Sequence, residues 1–459
     1  MYFIGIGGIG MSALARYFNS GGVSVSGYDK TPTSLTDELI KEGINIHFED
    51  SIESVNSELR TPNSELLVVY TPAVPASHSE LKYFRENNFS LIKRAELLGM
   101  LTKNHTTIAV AGTHGKTTTS SLIAHIFKYA GKNCSAFLGG IAKNYNSNFI
   151  SAGKALSFGE GLGEAMIVEA DEYDRSFLNL HPDIAIVTSI DPDHLDIYGS
   201  NEKMRDSYQQ FVSQIKSEGA FISKRNIDLA SSSRRINYSA NESSDYYADN
   251  IRMVNHENVF DIKWKGGEVK NVSSQMPGRH NVENTVAAFA CAHLSGIEAE
   301  SIKEAIKKFE GVVRRFDYRF KSKETVYIDD YAHHPEELRA CIQSVRELYP
   351  GKKITGIFQP HLFSRTRDFA EGFSKSLSLL DRLILLDIYP AREEPIAGVT
   401  SELIFKNVSI KYKVMAKKED VIPMLEQSDT EILLTLGAGN IDQLVKPIAE
   451  MLKNKIERG

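Results

Sequence analysis

Short β-branched runs recur along this chain, each leaving through a glycine-rich or polar turn into a stretch whose apolar residues fall at helical spacing. The first block is Phe3-Ile4-Gly5-Ile6-Gly7-Gly8-Ile9-Gly10, after which Met11, Leu14, Ala15 and Phe18 repeat about one helical turn apart. Strand, tight turn and helix are predicted in that order. Val23 to Tyr28 follows, and Leu66 to Pro75 reads as a buried strand leaving into a rigid loop. Between Lys93 and His105 the alternation fades, which predicts a domain boundary there. Alternation resumes with strands at Ile108–Val110, Ala165–Val168 and Ile184–Thr188, each followed by a polar loop. From Asn226 to Gln275 the chain turns polar, and Val259 to Val272 alternates around Gly266-Gly267, predicting a hairpin in which Trp264 is a packing residue. Beyond Gly311 come strands at Val326–Ile328, Ile354–Phe358, Leu383–Asp387 and Ile432–Leu436, with helical stretches such as Pro335–Tyr349 between them.

Composition narrows the class. A length of 459 residues fits about three domains. The net charge of -6 is spread without a Lys/Arg cluster, which argues against nucleic acid as a partner. Cys134, Cys291 and Cys341 are far apart with no C-x-x-C pair, as expected for unpaired thiols in a reducing, cytoplasmic setting. No apolar run approaches the ~18 residues of a spanning helix, so no membrane insertion is expected. The oligomeric state is not legible. The chain reaches its first glycine loop almost at once, which predicts a loosened edge in the first domain.

Two loops carry nucleotide chemistry. Ile108 to Ala111 leads into Gly112-Thr113-His114-Gly115-Lys116-Thr117-Thr118, a shortened P-loop with Val110 where a further glycine is usual. Its backbone N–H groups would face phosphate at a helix N-terminus, Lys116 would reach the β/γ-phosphates, and the Thr117 hydroxyl would bind Mg²⁺. The earlier loop, with Gly5, Gly7, Gly8 and Gly10, fits a dinucleotide-type fingerprint, and Asp29 stands where such folds place an acid on a ribose hydroxyl.

Other chemistry follows predicted strands. Glu169 heads the acidic run Glu169-Ala170-Asp171-Glu172-Tyr173-Asp174 and is the candidate second Mg²⁺ ligand of the P-loop, against the plainer reading of a solvated acidic loop. His194, within Asp191-Pro192-Asp193-His194-Leu195-Asp196, is a candidate metal ligand or an ordinary capping residue. Asn281 and Asn284 are three apart on one predicted helix, suited either to an adenine edge or to capping. Arg315 lies in the hinge into the last segment, where a cation could reach phosphates. Asp330, His361 and Arg365 sit in loops that would share one crevice, with Asp330 suited to a ribose and the other two to carboxylates.

Taken together, Gly5–Ala15, Gly112–Thr119, Glu169–Phe177, Asp193–Asp196, Gly278–Ala288, Asp329–Pro335, Gln359–Thr366 and Tyr389–Val399 resemble the Mur ligases. Gly-Ile-Gly-Gly-Ile-Gly-Met-Ser and Gln-Pro-His-Leu-Phe-Ser-Arg-Thr resemble the L-alanine-adding branch. The resemblance implies an α/β fold of three domains: a Rossmann-like UDP-substrate domain over 1–104, a central P-loop ATPase-like domain over 105–312, and a C-terminal doubly wound α/β domain over 313–459 that binds the amino acid. It implies a peptidoglycan-precursor ligase using ATP, UDP-N-acetylmuramate and L-alanine, with Mg²⁺, or Mn²⁺ in its place. By position, Gly5, Gly7, Gly8, Gly10 and Asp29 would hold the UDP-sugar. Gly112, Thr113, His114, Gly115, Lys116, Thr117 and Thr118 would hold ATP, together with Asn281, Asn284, Arg315 at the γ-phosphate and Asp330 at the ribose. Thr117 and Glu169 would bind one metal ion and His194 a second. Tyr331, His333, His361 and Arg365 would orient alanine and the muramoyl carboxylate; Lys116, His194, His361 and Arg365 form the expected catalytic set.

The chain departs from the pattern at Tyr208 and Gln209, where several relatives carry a carbamylated lysine, so no carbamyl-lysine is expected. Leu362 stands where some L-alanine ligases have Arg, which shifts carboxylate binding toward Arg365. The rival within the family is a murein-tripeptide recycling ligase, which lacks the Gln-Pro-His-x-Phe-Ser-Arg run. An NAD-dependent oxidoreductase would use the first glycine loop but leave Lys116-Thr117 unexplained.

Overall fold

The computed structural model describes residues 1–61, 65–152, 164–192, 195–391 and 393–458. Among these residues lie three sheets, and the chain divides into two compact units. Residues 1–250, 260–273 and 283–310 make one unit, which holds the first sheet and most of the second; 251–259, 274–282 and 311–459 make the other, which holds the third sheet.

The first sheet comprises β1 (Tyr2–Ile4), β2 (Ser26–Tyr28), β3 (Asn45–His47), β4 (Leu67–Tyr70) and β5 (Ser90–Lys93) in the order β3-β2-β1-β4-β5, all parallel. Strands covered on both faces need apolar residues at every position, and Phe3 and Ile4 are fully buried. The order reverses between β1 and β4, and the glycine loop leaves β1 at that switch point, where a parallel sheet opens a ligand crevice. Two expectations fail here. Lys93 to His105 does not lose the alternation: β5 ends at Lys93 and a helix runs Arg94–Lys103, its Glu96 accepting from the Lys93 N–H at 2.9 Å. The helix escaped notice because Leu97, Leu98 and Leu101 share their turns with Arg94, Glu96, Gly99 and Lys103. Nor does the short lead loosen an edge, because β1 is the central strand.

The second sheet comprises β6 (Thr106–Ala111), β7 (Cys134–Ala142), β8 (Ser147–Ile150), β9 (Ala165–Glu169), β10 (Ile184–Val187), β11 (Ala220–Lys224), β12 (Arg234–Ser239), β13 (Tyr246–Val254), β14 (Glu257–Trp264) and β15 (Gly267–Ser274). Its order is β15-β14-β13-β12-β11-β10-β6-β9-β7-β8. β6 is flanked by β10 and β9, both parallel to it, so the loops after all three open on one edge. β14 and β15 are the expected hairpin, and Trp264 packs on Phe289 with ring centroids 5.6 Å apart. β7, β8 and β11 to β13 were not anticipated.

One apolar cluster runs through both sheets, containing Phe3, Leu14 and Phe18 together with Phe137, Phe149, Phe177 and Tyr208. The helix Ile9–Ser20 lies against the β7–β8 hairpin, where the Tyr17 ring sits 5.4 Å from Phe137 and 6.0 Å from Phe149. A buried polar joint closes this contact. Asn148 donates to the Ile9 carbonyl at 2.5 Å and to Ser12 Oγ at 2.9 Å, and accepts from Arg16, which also pairs with Glu42 at 2.7 Å. The three cysteines are unpaired and buried.

The third sheet comprises β16 (Asp317–Lys321), β17 (Val326–Asp330), β18 (Ile354–Phe358), β19 (Arg382–Leu385), β20 (Tyr412–Met415) and β21 (Ile432–Leu436), ordered β16-β17-β21-β18-β19-β20. Only β16 is antiparallel to its neighbour. Helix Pro335–Leu348 follows β17, as the periodicity predicts, whereas helix Phe363–Leu377 follows β18 and takes in Arg365, which was expected in a loop. No described helix is long and apolar enough to cross a membrane.

Candidate active site

The first glycine loop is already closed around a carboxylate. Gly5 has φ +87°, and the Gly7 N–H donates to Asp29 Oδ2 at 2.7 Å while the Thr31 N–H donates to Asp29 Oδ1 at 3.2 Å. A Cβ on Gly7 would fall 2.8 Å from that carboxylate and 2.7 Å from Thr36, so only glycine fits. Gly8 caps the helix Ile9–Ser20, and a Cβ on Gly10 would lie 2.9 Å from the Arg94 guanidinium.

The second loop joins β6 to the helix Lys116–Tyr129, with Gly115 as its cap at φ +82°. Gly112, at φ +135°, lies where a Cβ would be 2.1 Å from Thr188 Oγ1. Thr113 and His114 are docked on the loop after β10: Thr113 N–H donates to Ser189 O at 3.2 Å and His114 N–H to Ser189 Oγ at 2.8 Å. Thr117 and Thr118 are buried in the first helical turn, and a Cβ on Gly115 would meet Asn284 Oδ1 at 2.5 Å. Asn284 is therefore beside the loop. Asn281, in the same helix Arg279–Leu294, donates its amide to the Pro277 carbonyl at 2.7 Å.

Lys116 donates to the Gly112 carbonyl at 2.6 Å and to Glu172 Oε1 at 2.8 Å. Burial alone would lower the ammonium pKa, but Glu172, Glu169 and Asp171 outweigh it, so the pKa is raised and the cation retained. Burial raises the Glu172 carboxyl, with Lys116 opposing. Glu169, the last residue of β9, accepts from the Gly139 N–H at 2.9 Å; a Cβ on Gly139 would collide with it at 2.4 Å. His194 lies outside the described residues. Tyr208 is fully buried, and Gln209 hydrogen-bonds the backbone of Ala230 in both directions at 2.8 Å.

In the third sheet's unit, the loops after β17 and β18 bring Tyr331, His333 and His361 into one row: ring centroids are 5.3 Å apart for Tyr331 and His333, and 6.1 Å for His333 and His361. Tyr389 extends the row by stacking on His361 at 5.8 Å. The Arg314 and Arg315 guanidinium groups both lie 5.2 Å from the Tyr331 ring centre, and Arg315 pairs with Glu337 at 3.6 Å. Asp330 accepts from the Phe316 N–H at 2.7 Å and the Ala332 N–H at 2.8 Å; burial pushes its carboxyl up to about 6, against Arg315. Arg365 is buried in the first turn of the helix Phe363–Leu377, whose Ser364 N–H is capped by Glu393 at 2.9 Å. Leu362, before that helix, holds φ +70° and ψ 138°, a conformation most non-glycine residues avoid.

Family models cover most of the chain: the Mur ligase family catalytic domain over residues 1–106, the Mur ligase middle domain over 110–292, and the Mur ligase glutamate ligase domain over 314–439. A UDP-N-acetylmuramate–L-alanine ligase of Parabacteroides distasonis is 50% identical over 462 residues, spanning 100% of this chain and 98% of the relative. The chain belongs to the Mur ligase family. Another relative of this Mur ligase, the UDP-N-acetylmuramate–L-alanine ligase of Flavobacterium johnsoniae, is 49% identical over 456 residues, 99% of this chain and 98% of the relative. Among solved structures, the UDP-N-acetylmuramate–alanine ligase MurC of Thermotoga maritima superposes with TM-score 0.81 at 28% identity, covering 99% of both chains.

Three residues of this Mur ligase gain a place that the motifs did not give them. Glu172 is the buried partner of Lys116, Tyr389 ends the ring row, and Glu393 caps the helix that carries Arg365. All three were visible as members of polar loops, but which carboxylate of a run turns inward is decided by packing.

Proposed function

We infer that this Mur ligase uses ATP to join L-alanine to the lactyl carboxylate of UDP-N-acetylmuramate, in peptidoglycan-precursor synthesis in the cytoplasm. The observation that carries this reading is the end-to-end identity of about half to UDP-N-acetylmuramate–L-alanine ligases. The order of bond changes follows from the groups. A carboxylate cannot expel oxide, so its oxygen attacks the γ-phosphorus, the bond to the β-phosphate oxygen breaks, and ADP leaves. The neutral alanine amine then attacks the acyl phosphate carbonyl, phosphate departs, and the amine gives up a proton as the amide forms.

Residue roles follow from position and placement. Lys116 would neutralise the β/γ-phosphates, with Gly112 to Thr118 around them and Asn281 and Asn284 toward the adenine. Arg315 is assigned to the γ-phosphate and Asp330 to the ribose. Gly5, Gly7, Gly8, Gly10 and Asp29 are assigned to the UDP-sugar. Tyr331, His333, His361 and Arg365 are assigned to alanine and the muramoyl carboxylate. Thr117 and Glu169 offer the hard oxygen donors that Mg²⁺, or Mn²⁺, takes alongside phosphate, and His194 is assigned to a second ion. Bound there, such an ion would offset the charge gathering on the transferred phosphoryl group. We assign domains to 1–104, 105–312 and 313–459.

Phosphate release from ATP tests the reading, with UDP-N-acetylmuramate and, in turn, L-alanine, glycine, L-serine or the L-Ala-γ-D-Glu-diaminopimelate tripeptide. L-alanine should support turnover and the tripeptide should not. Turnover with the tripeptide alone, or without the muramate, overturns it. In the same assay Arg365→Lys should raise KM for a carboxylate-bearing substrate ~10-fold or more, since a point charge does not replace a bidentate fork.

A further inference from the structure

The acidic turn after β9 reaches both glycine loops through two neighbouring carboxylates, the second loop directly and the first by way of Arg94. Asp171 Oδ2 pairs with Arg94 at 3.3 Å, across from the first sheet's helix Arg94–Lys103. The same guanidinium is packed against Gly10, where a Cβ would stand 2.9 Å from it. Next in the chain, Glu172 is buried and takes a hydrogen bond from Lys116.

The turn between these contacts is held firmly. Tyr173 N–H donates to Asp171 Oδ1 at 3.0 Å, Phe177 N–H to the Asp171 carbonyl at 2.9 Å, and the Tyr198 hydroxyl to the Glu172 carbonyl at 2.6 Å. Asp174 and Arg175 follow at φ +52° and +54°, a conformation that costs non-glycine residues energy and persists only where surroundings impose it.

An ammonium has three N–H donors in fixed directions. The Gly112 carbonyl and Glu172 take two of those of Lys116, which leaves the direction of the third set by these two acceptors. Arg94 is connected to that ammonium through the turn.

We propose that Arg94 and Glu172 are positioning residues for phosphoryl transfer: Arg94, seated against the first glycine loop, holds the turn through Asp171, and the turn holds Glu172 where it aims Lys116. The loop for the UDP-sugar is thereby linked mechanically to the loop for ATP. This rests on the assignment of Lys116 to the ATP phosphates.

The test is a double-mutant cycle on the full chain, reading kcat, KM for ATP, and direct ATP affinity, all per folded enzyme. Glu172→Ala should lower kcat ~10- to 100-fold, as expected when a group misplaces the cation that stabilises phosphoryl transfer. Glu172→Gln, which keeps an oxygen acceptor but not the counter-charge, should recover part of it. Arg94→Ala should weaken ATP use by ~5- to 10-fold although it lies on the other sheet's helix, Arg94→Lys should restore part, and the double variant should be no worse than Glu172→Ala, because two steps on one route do not add. Additive losses, or losses in Tm alone with kcat and ATP affinity unchanged, overturn the proposal. Should Glu172→Ala fail to fold, the cycle is run with Glu172→Asp, which keeps the charge but draws it back by one methylene, and additive losses there overturn the proposal as well. Lys116→Ala separates the two levels: if it stays active the ATP-site assignment falls, whereas an inactive Lys116→Ala beside additive Arg94 and Glu172 effects removes this inference alone.

Discussion

Glu80, packed under the first sheet, and Glu172, beside the phosphate loop of the second, are both buried, and the two are answered differently. Glu80, fully buried, receives the Tyr2 hydroxyl at 2.7 Å, with His47 Nε2 3.4 Å from its other oxygen. Glu172 receives the ammonium of Lys116. Burial raises both carboxyls, Glu80 to about 7. A neutral hydroxyl satisfies a carboxyl whether or not it is ionised, so the first arrangement ties β1 to the helix Ser79–Glu86. A buried ammonium needs a counter-charge, so the second arrangement creates a dependency that a phosphate can share. The glycine loops repeat the contrast. Asp29 fills one with an acceptor, while Lys116 places a cation in the other.

Lys116→Ala is the severest way to break that contrast, with an expected loss in kcat of ~10³-fold or more, because charge stabilisation carries phosphoryl transfer. Retention of even a tenth of the wild-type rate would remove Lys116 from the reaction. Gly115→Ala comes next: the residue holds φ +82° and its Cβ would lie 2.5 Å from Asn284 Oδ1, so ATP affinity should fall, by ~10-fold or more for a strained site of this kind. Nucleotide titration reads this directly. Asp29→Ala should act on the other loop only, raising KM for UDP-N-acetylmuramate by ~10-fold with little change in KM for ATP, the size expected for one lost charge-assisted hydrogen bond. Equal changes in both constants would show that Asp29 does not serve the UDP-sugar loop in particular.

The smallest effect concerns stability. Glu80 binds its proton more tightly folded than unfolded, so between pH ~4.5 and ~7 the native state holds the extra proton and stability falls as pH rises. Burial also lowers His47 and His78, whose contribution has the opposite sign and is gained as pH rises toward their unfolded values. Glu80→Gln removes only the first effect, so its denaturation midpoint at pH 8 should gain on the wild type, by at most about 3 kcal/mol, relative to the difference at pH 5. A difference independent of pH would mean that Glu80 does not titrate in this range.

Much of this was legible. The strands at Ile108, Ala165, Ile354 and Ile432 were readable because strands buried on both faces are written as continuous apolar runs. The ring row of Tyr331, His333 and His361 was readable as residues at strand ends, where one sheet edge gathers them. β12 was hidden by a start on Arg234-Arg235, and the helix Arg94–Lys103 by its interspersed charges. Glu172 was hidden for another reason: four carboxylates within six residues are equivalent on paper, and only the fold buries this one.

The joint at Asn148 bears on autonomy. Tyr17 and Phe18 complete a core whose other half comes from Phe137 and Phe149, and Arg16 ends on a side chain from β8. Residues 1–104 expressed alone would show that face to water, so the segment should be insoluble or loosely folded by itself. A chimera exchanging it between relatives would need the hairpin of β7 and β8 to travel with it.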